Sequence, residues 1–205
     1  MNLVLVRHGE TEWNKLGKFQ GHCDTSLNSR GIAQALETAQ AIMEWRHSAV
    51  YSSPLHRTMR VAQEISRLGG NPVVPVAGFK ELSLGDLEGV TGEEMRAGWP
   101  EVYSAWRDDP AGVSMPNGES LVELQERAWS SLLELETAHA DDEALIVVSH
   151  NFAIRSMVGR VLGMPLCNFH RMSLDLGSIC VIESDQRGRR LMVFNSTCHL
   201  SPDNR

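Results

Sequence analysis

The chain has 205 residues, of which 42% are hydrophobic and 22% are charged, and its formal net charge is −7. This composition is typical of a globular protein and too apolar for a disordered one, and the length and uniform composition predict one domain over residues 1–205. The net negative charge argues against a nonspecific nucleic-acid binder, because a phosphate backbone requires a basic face. Any anion site must therefore be local.

The sequence also argues against membrane spans and metal-binding clusters. No apolar stretch approaches the length of a membrane-spanning helix, and the apolar run after Met1 lacks the features of a signal peptide. The cysteines Cys23, Cys167, Cys180 and Cys198 lack the paired spacing of a zinc site or a disulfide framework. We therefore expect a cytoplasmic protein with free thiols, no metal site and no membrane contact.

Strand-like runs alternate along the chain with segments of helical periodicity. Strands are predicted at Leu3 to Val6, around Ala49 to Ser52, at Val73 to Val76, at Ala144 to Ser149, at Ser178 to Glu183 and at Leu191 to Asn195. Helices are predicted over "SRGIAQALETAQAIMEW", "LHRTMRVAQEISRL", "GESLVELQERAWSSLLELETAHA" and "NFAIRSMVGRVLG". This alternation is the order of a layered α/β fold.

Two strands, "LVLV" at Leu3 to Val6 and "ALIVVS" at Ala144 to Ser149, lack the alternation of a half-exposed strand. Both are predicted in the centre of the sheet, with helices on both faces. Ligands of open α/β sheets bind beyond the carboxyl ends of the strands. Because these two strands run into "RHG" and "SHN", each delivers a histidine to that edge.

The segment from Phe79 to Pro116 is rich in glycine and acidic residues, which predicts an insertion with less regular structure. Trp99 and Trp106 would give it a small core of its own. We expect this insertion to act as a lid over the crevice.

Positive charge gathers at the predicted crevice. Arg7 and His8 end the first strand, and Gly9 permits a turn that brings backbone groups close to a ligand. Arg57 stands in the first turns of a helix that begins after "SSP", where the helix N-terminus favours an anion. His150 follows another strand. Taken alone, each arginine could be an ordinary solvated residue and each histidine a core or capping residue. Together, these four residues are predicted to form a pocket for a dianion.

The segments "LVRHGETEWN", "SSPLHRT", "ELSLGDLEG", "GES" and "VVSHN" follow one another over nearly the whole chain. In this order they resemble the histidine phosphatase superfamily, which includes the cofactor-dependent phosphoglycerate mutases. The resemblance implies a three-layer α/β/α fold with a mostly parallel central sheet. It also implies that the first histidine carries the phosphoryl group transiently.

The resemblance carries roles over to particular residues of this chain. His8 becomes the nucleophile, and Glu81 matches the acidic residue of the family. The phosphate pocket would consist of Arg7, Arg57 and His150. The remaining substrate contacts implied are Asn14, Gln20, Gly21 and Asn151.

These residue types suit phosphoryl transfer without a metal or another cofactor. Arginines and a second histidine can neutralise the phosphoryl oxygens. A neutral His8 can attack if its other nitrogen donates to a carbonyl near Gly9. Glu81 would protonate the leaving alkoxide and then activate water. Spacing alone leaves Asp86 and Glu88 open as the acid.

Three functions remain open at this point: a phosphatase, a mutase, and a non-enzymatic module that binds a phosphorylated ligand. The mutases carry an "ERHYG" type segment at the catalytic glutamate, whereas this chain has "ELSLGDLEG", which favours the phosphatase. A module that only binds has no need of the nucleophile or the acid, so that function ranks last.

The substrate is predicted to be a small phosphorylated metabolite. The ending "FNSTCHL" resembles the tail of metal-independent bacterial phosphoserine phosphatases, which would bring His199 to the substrate unless the terminus simply frays. Those enzymes carry a histidine where this chain has Leu84. The stretch "PNGES" also fits α-ribazole phosphatases. Family members are often dimers through an edge strand, and the run near Ala49 or Val73 would serve for a homodimer.

Overall fold

The computed structural model describes residues 1–139 and 143–205. Its strands are β1 (Asn2–Arg7), β2 (His47–Ser52), β3 (Val73–Pro75), β4 (Ala144–Ser149), β5 (Ile179–Asp185) and β6 (Gly188–Ser196). They form one sheet in the order β3-β2-β4-β1-β5-β6. The pairs among β3, β2, β4 and β1 are parallel, and β5 and β6 pair antiparallel. The prediction of a mostly parallel sheet with β1 and β4 at its centre is confirmed.

Helices cover both faces of the sheet. They are α1 (Glu12–Lys15), α2 (Ser29–Ile42), α3 (His56–Gly69), α4 (Gly92–Gly98), α5 (Pro100–Asp108), α6 (Leu121–Ala138) and α7 (Asn151–Val161). Side chains alternate along a strand, so Leu3 and Leu5 pack with α6 and α7, while Val4 and Val6 pack with α2 and α3. The three-layer α/β/α arrangement is therefore confirmed.

The insertion at residues 79–116 contains α4 and α5, and Trp99 and Trp106 pack against an apolar cluster inside it. This cluster is shared with Leu121 and Leu124 of α6 and Ala153 of α7, so the insertion does not have the core of its own that was expected. Phe152 of α7 packs there as well, so the insertion is fixed to the main body beside the strand ends. Its action as a lid stays a prediction.

Of the two runs expected to serve as an edge strand, the structure excludes one. The run near Ala49 forms β2, which lies between β3 and β4 and has no free edge. β3 pairs with one side of β2 and β4 with the other, so the backbone groups of β2 are not available to a second chain. The edges belong to β3, which contains Val73, and to β6. None of the described helices is long and apolar enough to cross a bilayer.

Candidate active site

Three neighbouring strand ends form the floor of a cleft. Arg7 of β1 lies opposite Ser149 of β4 in the parallel register, so His8 and His150 follow side by side. The centroids of the two imidazole rings are 5.2 Å apart. Ser53 follows β2, and its N–H donates to the carbonyl of Val148 at 3.0 Å. Sheet register thus brings together residues more than 140 positions apart.

His8 has the form of a nucleophile. Its Nδ1 lies 2.7 Å from the carbonyl oxygen of Gly9 and donates to it, which leaves the lone pair on Nε2. Burial, followed by the charges of Arg57 and Arg7, lowers the pKa of His8 well below its usual 6.5. The imidazole is therefore neutral at physiological pH.

The two arginines are held by backbone carbonyls. The buried Arg57 donates from Nη1 to Cys23 and from Nη2 to Gly21, each at 2.8 Å. Arg7 donates from Nη1 to the carbonyl of Leu174. Burial lowers the pKa of Arg7 to about 10, so its charge persists at neutral pH. The loop at Gly21 requires glycine, because its φ is +51° and a Cβ there would lie 2.2 Å from an oxygen of Glu88.

Several buried polar atoms of these residues have no partner among the described residues. They are Arg7 Nε, Arg57 Nε, His150 Nδ1 and Asn151 Oδ1. Buried polar groups are normally hydrogen-bonded, so unpartnered donors gathered around one cleft indicate a ligand that supplies acceptors. The oxygens of a phosphoryl group would satisfy the donors. The other ring nitrogen of His150, Nε2, lies 2.8 Å from Ser53 Oγ.

Glu81 supplies a carboxylate to the same cleft. Its oxygens accept the backbone N–H groups of Phe152 and Ala153 at 3.1 to 3.3 Å, at the start of α7. The other two acids left open by the sequence are engaged elsewhere. Asp86 accepts from Asn117 on the surface, and Glu88 accepts from the backbone of His22. Of the three, only Glu81 lines the cleft.

The cleft has a volume of about 150 Å³. Predicted residues that line it are Arg7, His8, Asn14, Gln20, Gly21, Arg57, Glu81 and Asn151. His150 lies fully buried beside His8. Sequence reasoning did not assign Lys18, Phe19 or Phe152 to the site, although each adjoins a motif. Leu84, noted only as a departure from the phosphoserine phosphatases, also lines the cleft. Among the described residues, no cluster of His, Cys, Asp and Glu is arranged to hold a metal ion.

The structure does not bring His199 to the cleft, contrary to the expectation from the tail motif. Its Nε2 lies 3.1 Å from Thr38 Oγ1 on α2. The tail is held there because Ser201 and Asn204 each donate to the carboxylate of Glu37 at 2.9 Å. The polar face of α2 therefore decides where the tail packs.

Comparisons with known proteins show which sequences and structures this chain is similar to. The chain is 34% identical over 200 residues to phosphoserine phosphatase 1 of Hydrogenobacter thermophilus, covering 98% of this chain and 94% of the relative. It is 36% identical over 162 residues to a metal-independent phosphoserine phosphatase of Arabidopsis thaliana, covering 78% and 68%. A mutant phosphoserine phosphatase from Entamoeba histolytica, solved with phosphoserine, superposes with a TM-score of 0.85 at 33% identity, covering 98% and 99%. Because residues 3–197 match the model of the histidine phosphatase superfamily (branch 1), the chain belongs to that family.

Proposed function

We propose that this protein hydrolyses small phosphomonoesters, phosphoserine among them, through a phosphohistidine on His8. The observation that carries the proposal is a neutral, buried imidazole with Nδ1 tied to Gly9 and with arginine, imidazole and carboxylate groups around it. This set provides a nucleophile, a cradle for charge and a proton donor at one place.

In the first half-reaction, the phosphoryl oxygens lie against Arg7, Arg57 and His150. Nε2 of His8 attacks phosphorus, and the bond from phosphorus to the leaving oxygen breaks. Glu81, in its protonated form, gives its proton to that oxygen, so the alcohol leaves neutral. The arginines neutralise the negative charge that spreads over the phosphoryl oxygens.

In the second half-reaction, water attacks the phosphorus of the phosphohistidine. Glu81, now ionised, takes a proton from the water as the bond from phosphorus to nitrogen breaks. Inorganic phosphate leaves and the neutral imidazole returns. No step calls for a metal ion, in keeping with the relative named as metal-independent. We therefore expect activity to be unchanged after dialysis against EDTA, and loss restored by added Mg²⁺ would contradict this mechanism.

The outer part of the cleft supports a substrate with a second negative charge. Lys18 lines it beside Phe19 and Phe152, and its Nζ lies 6.0 Å from the centroid of the Trp13 ring. A cation there would attract the carboxylate of phosphoserine. Leu84 stands on the same cleft, and an apolar contact there also suits a larger ester such as α-ribazole phosphate.

The direct test of the intermediate is rapid quenching with ³²P-labelled phosphoserine. We expect an acid-labile, base-stable label on the protein, absent in His8→Ala. His56→Ala is the matched control, since His56 is exposed and paired with Asp24 outside the cleft. Turnover retained in His8→Ala would refute the mechanism.

A panel of phosphomonoesters identifies the substrate class. It should include phosphoserine, α-ribazole phosphate and 3-phosphoglycerate, the last with and without a bisphosphoglycerate primer. Release of phosphate from 3-phosphoglycerate is consistent with the proposal, whereas conversion into 2-phosphoglycerate would make the protein a mutase. Binding of phosphoserine with no turnover of any ester would support the non-enzymatic module.

A homodimer and a cytoplasmic location remain predictions. For the dimer, β3 is the available edge near Val73, and Val74 on it is exposed. Sedimentation of the protein and of Val74→Lys tests this, because a charge in a strand-edge interface disfavours pairing.

A further inference from the structure

Glu81 lies on a segment without regular secondary structure, so the strand ends do not fix its position. The backbone carbonyls of the four residues 78–81 accept hydrogen bonds from side chains. Ser149 Oγ donates to Phe79 at 2.8 Å, and His22 Nε2 donates to Glu81 at 2.8 Å. Side chains from other elements therefore determine where this backbone runs.

Arg127 of α6 makes most of these contacts. Its Nη1 donates to the carbonyls of Gly78 and Lys80, each at 2.8 Å, and its Nη2 donates to that of Glu81 at 2.7 Å. The guanidinium also forms two hydrogen bonds with Glu119, from Nε at 2.6 Å and from Nη2 at 2.8 Å. An arginine has five N–H donors, and Arg127 uses all five here.

Glu119 holds the same segment on the other side of Glu81. Its Oε2 accepts the N–H of Ser83 at 3.1 Å, and its own N–H donates to the carbonyl of Ser83 at 2.9 Å. Arg127 and Glu119 together therefore fix the backbone before, at and after the acid. Arg127 itself does not line the cleft.

We propose that Arg127, supported by Glu119, is a positioning residue that sets the distance between the Glu81 carboxyl and the leaving-group oxygen. This inference rests on the proposed role of Glu81 as general acid. The carboxyl end of Glu81 is held by the N–H groups that start α7, while Arg127 holds its backbone end. Two fixed ends leave the carboxyl little freedom, and proton transfer depends steeply on that geometry.

The test uses the leaving group as a readout. The value of kcat/KM reports on the steps up to and including phosphorylation of His8. In that phosphorylation step, only a poor leaving group needs a proton from the general acid. In Arg127→Met, we expect kcat/KM to fall about tenfold or more for phosphoserine, whose serine alkoxide leaves poorly. For p-nitrophenyl phosphate, whose phenolate leaves without a proton, we expect less than about a threefold fall. Arg127→Lys should lie between Arg127→Met and the unmodified protein, since an ammonium keeps the charge but lacks the planar fork.

Three further variants make the result decisive. Arg160→Met removes a comparable ion pair between α7 and α6, 2.6 Å from Glu126, without touching the segment of Glu81, and should leave both kcat/KM values unchanged. Glu119→Gln should reproduce the selective loss in milder form. Equal losses on both esters, or none, in a folded Arg127 variant would overturn the positioning role. If Glu81→Gln lowers kcat/KM equally for both esters, the result refutes the role of Glu81 as general acid, on which this inference rests.

Discussion

The cleft has two parts that are built differently. The inner cleft consists of Arg7, His8, Arg57 and His150, and the outer cleft consists of Lys18, Phe19, Leu84 and Phe152. In the inner cleft, His8, Arg57 and His150 are buried and stand at strand ends or in the first turn of a helix. In the outer cleft, all but Leu84 are partly exposed, and three of the four lie on irregular segments.

In the proposed mechanism, this difference separates chemistry from selectivity. The strand ends are fixed by apolar cores on both faces of the sheet, so the inner cleft would offer the same charges to any phosphoryl group. The outer cleft would contact the part of the substrate that differs between esters. Changes in the inner cleft should therefore lower activity toward all esters, whereas changes in the outer cleft should alter their ranking.

The largest effect is expected for Arg57→Met. Loss of this guanidinium should lower kcat/KM by about 10²- to 10³-fold, because it removes stabilisation of the transferring phosphoryl group. The loss should be similar for phosphoserine and for p-nitrophenyl phosphate. Arg60→Met is the matched control on α3, since Arg60 pairs with Glu64 at 2.9 Å outside the cleft. A loss confined to one ester would break the distinction between the two parts.

The same variant should shift the pH dependence. The neighbouring charge of Arg57 helps to lower the pKa of His8, and attack requires the neutral imidazole. In the unmodified protein the acid limb due to His8 therefore lies well below pH 6.5. In Arg57→Met the His8 pKa rises, so the limb moves to higher pH. The pH profiles of kcat/KM should be measured for both proteins with the same substrate, so that the titration of the substrate contributes equally to each. Acid limbs that superimpose would show that the charge of Arg57 does not lower the pKa of His8.

A smaller effect is expected for Lys18→Met in the outer cleft. We expect kcat/KM to fall about two- to fivefold for phosphoserine, the range typical of one partly exposed charge pair. Activity toward p-nitrophenyl phosphate, which has no carboxylate, should stay the same. Lys15→Met, on the exposed end of α1, controls for net charge. Equal losses on both esters would remove Lys18 from substrate selection.

The smallest effect on catalysis is expected for His199→Ala. Because His199 bonds to Thr38 and does not line the cleft, kcat/KM should be unchanged. Stability should fall by about 1 kcal/mol through loss of this hydrogen bond, measured by urea unfolding. An increased KM for phosphoserine would instead show that the C-terminal tail contributes to substrate binding.

Much of the fold follows from the sequence by itself. Apolar runs without alternation mark β1 and β4 as central strands, and polar groups just after them mark the functional edge. The inner cleft was predictable for that reason, since Arg7, His8 and His150 directly follow such runs. The resemblance to a family then gave these residues their roles and added Glu81.

The tertiary structure alone decided the rest. Arg127 and Glu81 are 46 residues apart, and no local pattern links a helical arginine to the carbonyls of a distant loop. The interior place of β2 depends on pairing with two other strands, and the position of His199 depends on Glu37 and Thr38 of α2. The burial pattern of a strand or helix depends on residues that are close in the sequence, so it can be predicted locally. Contacts between distant segments form only when the chain packs, so no local pattern predicts them.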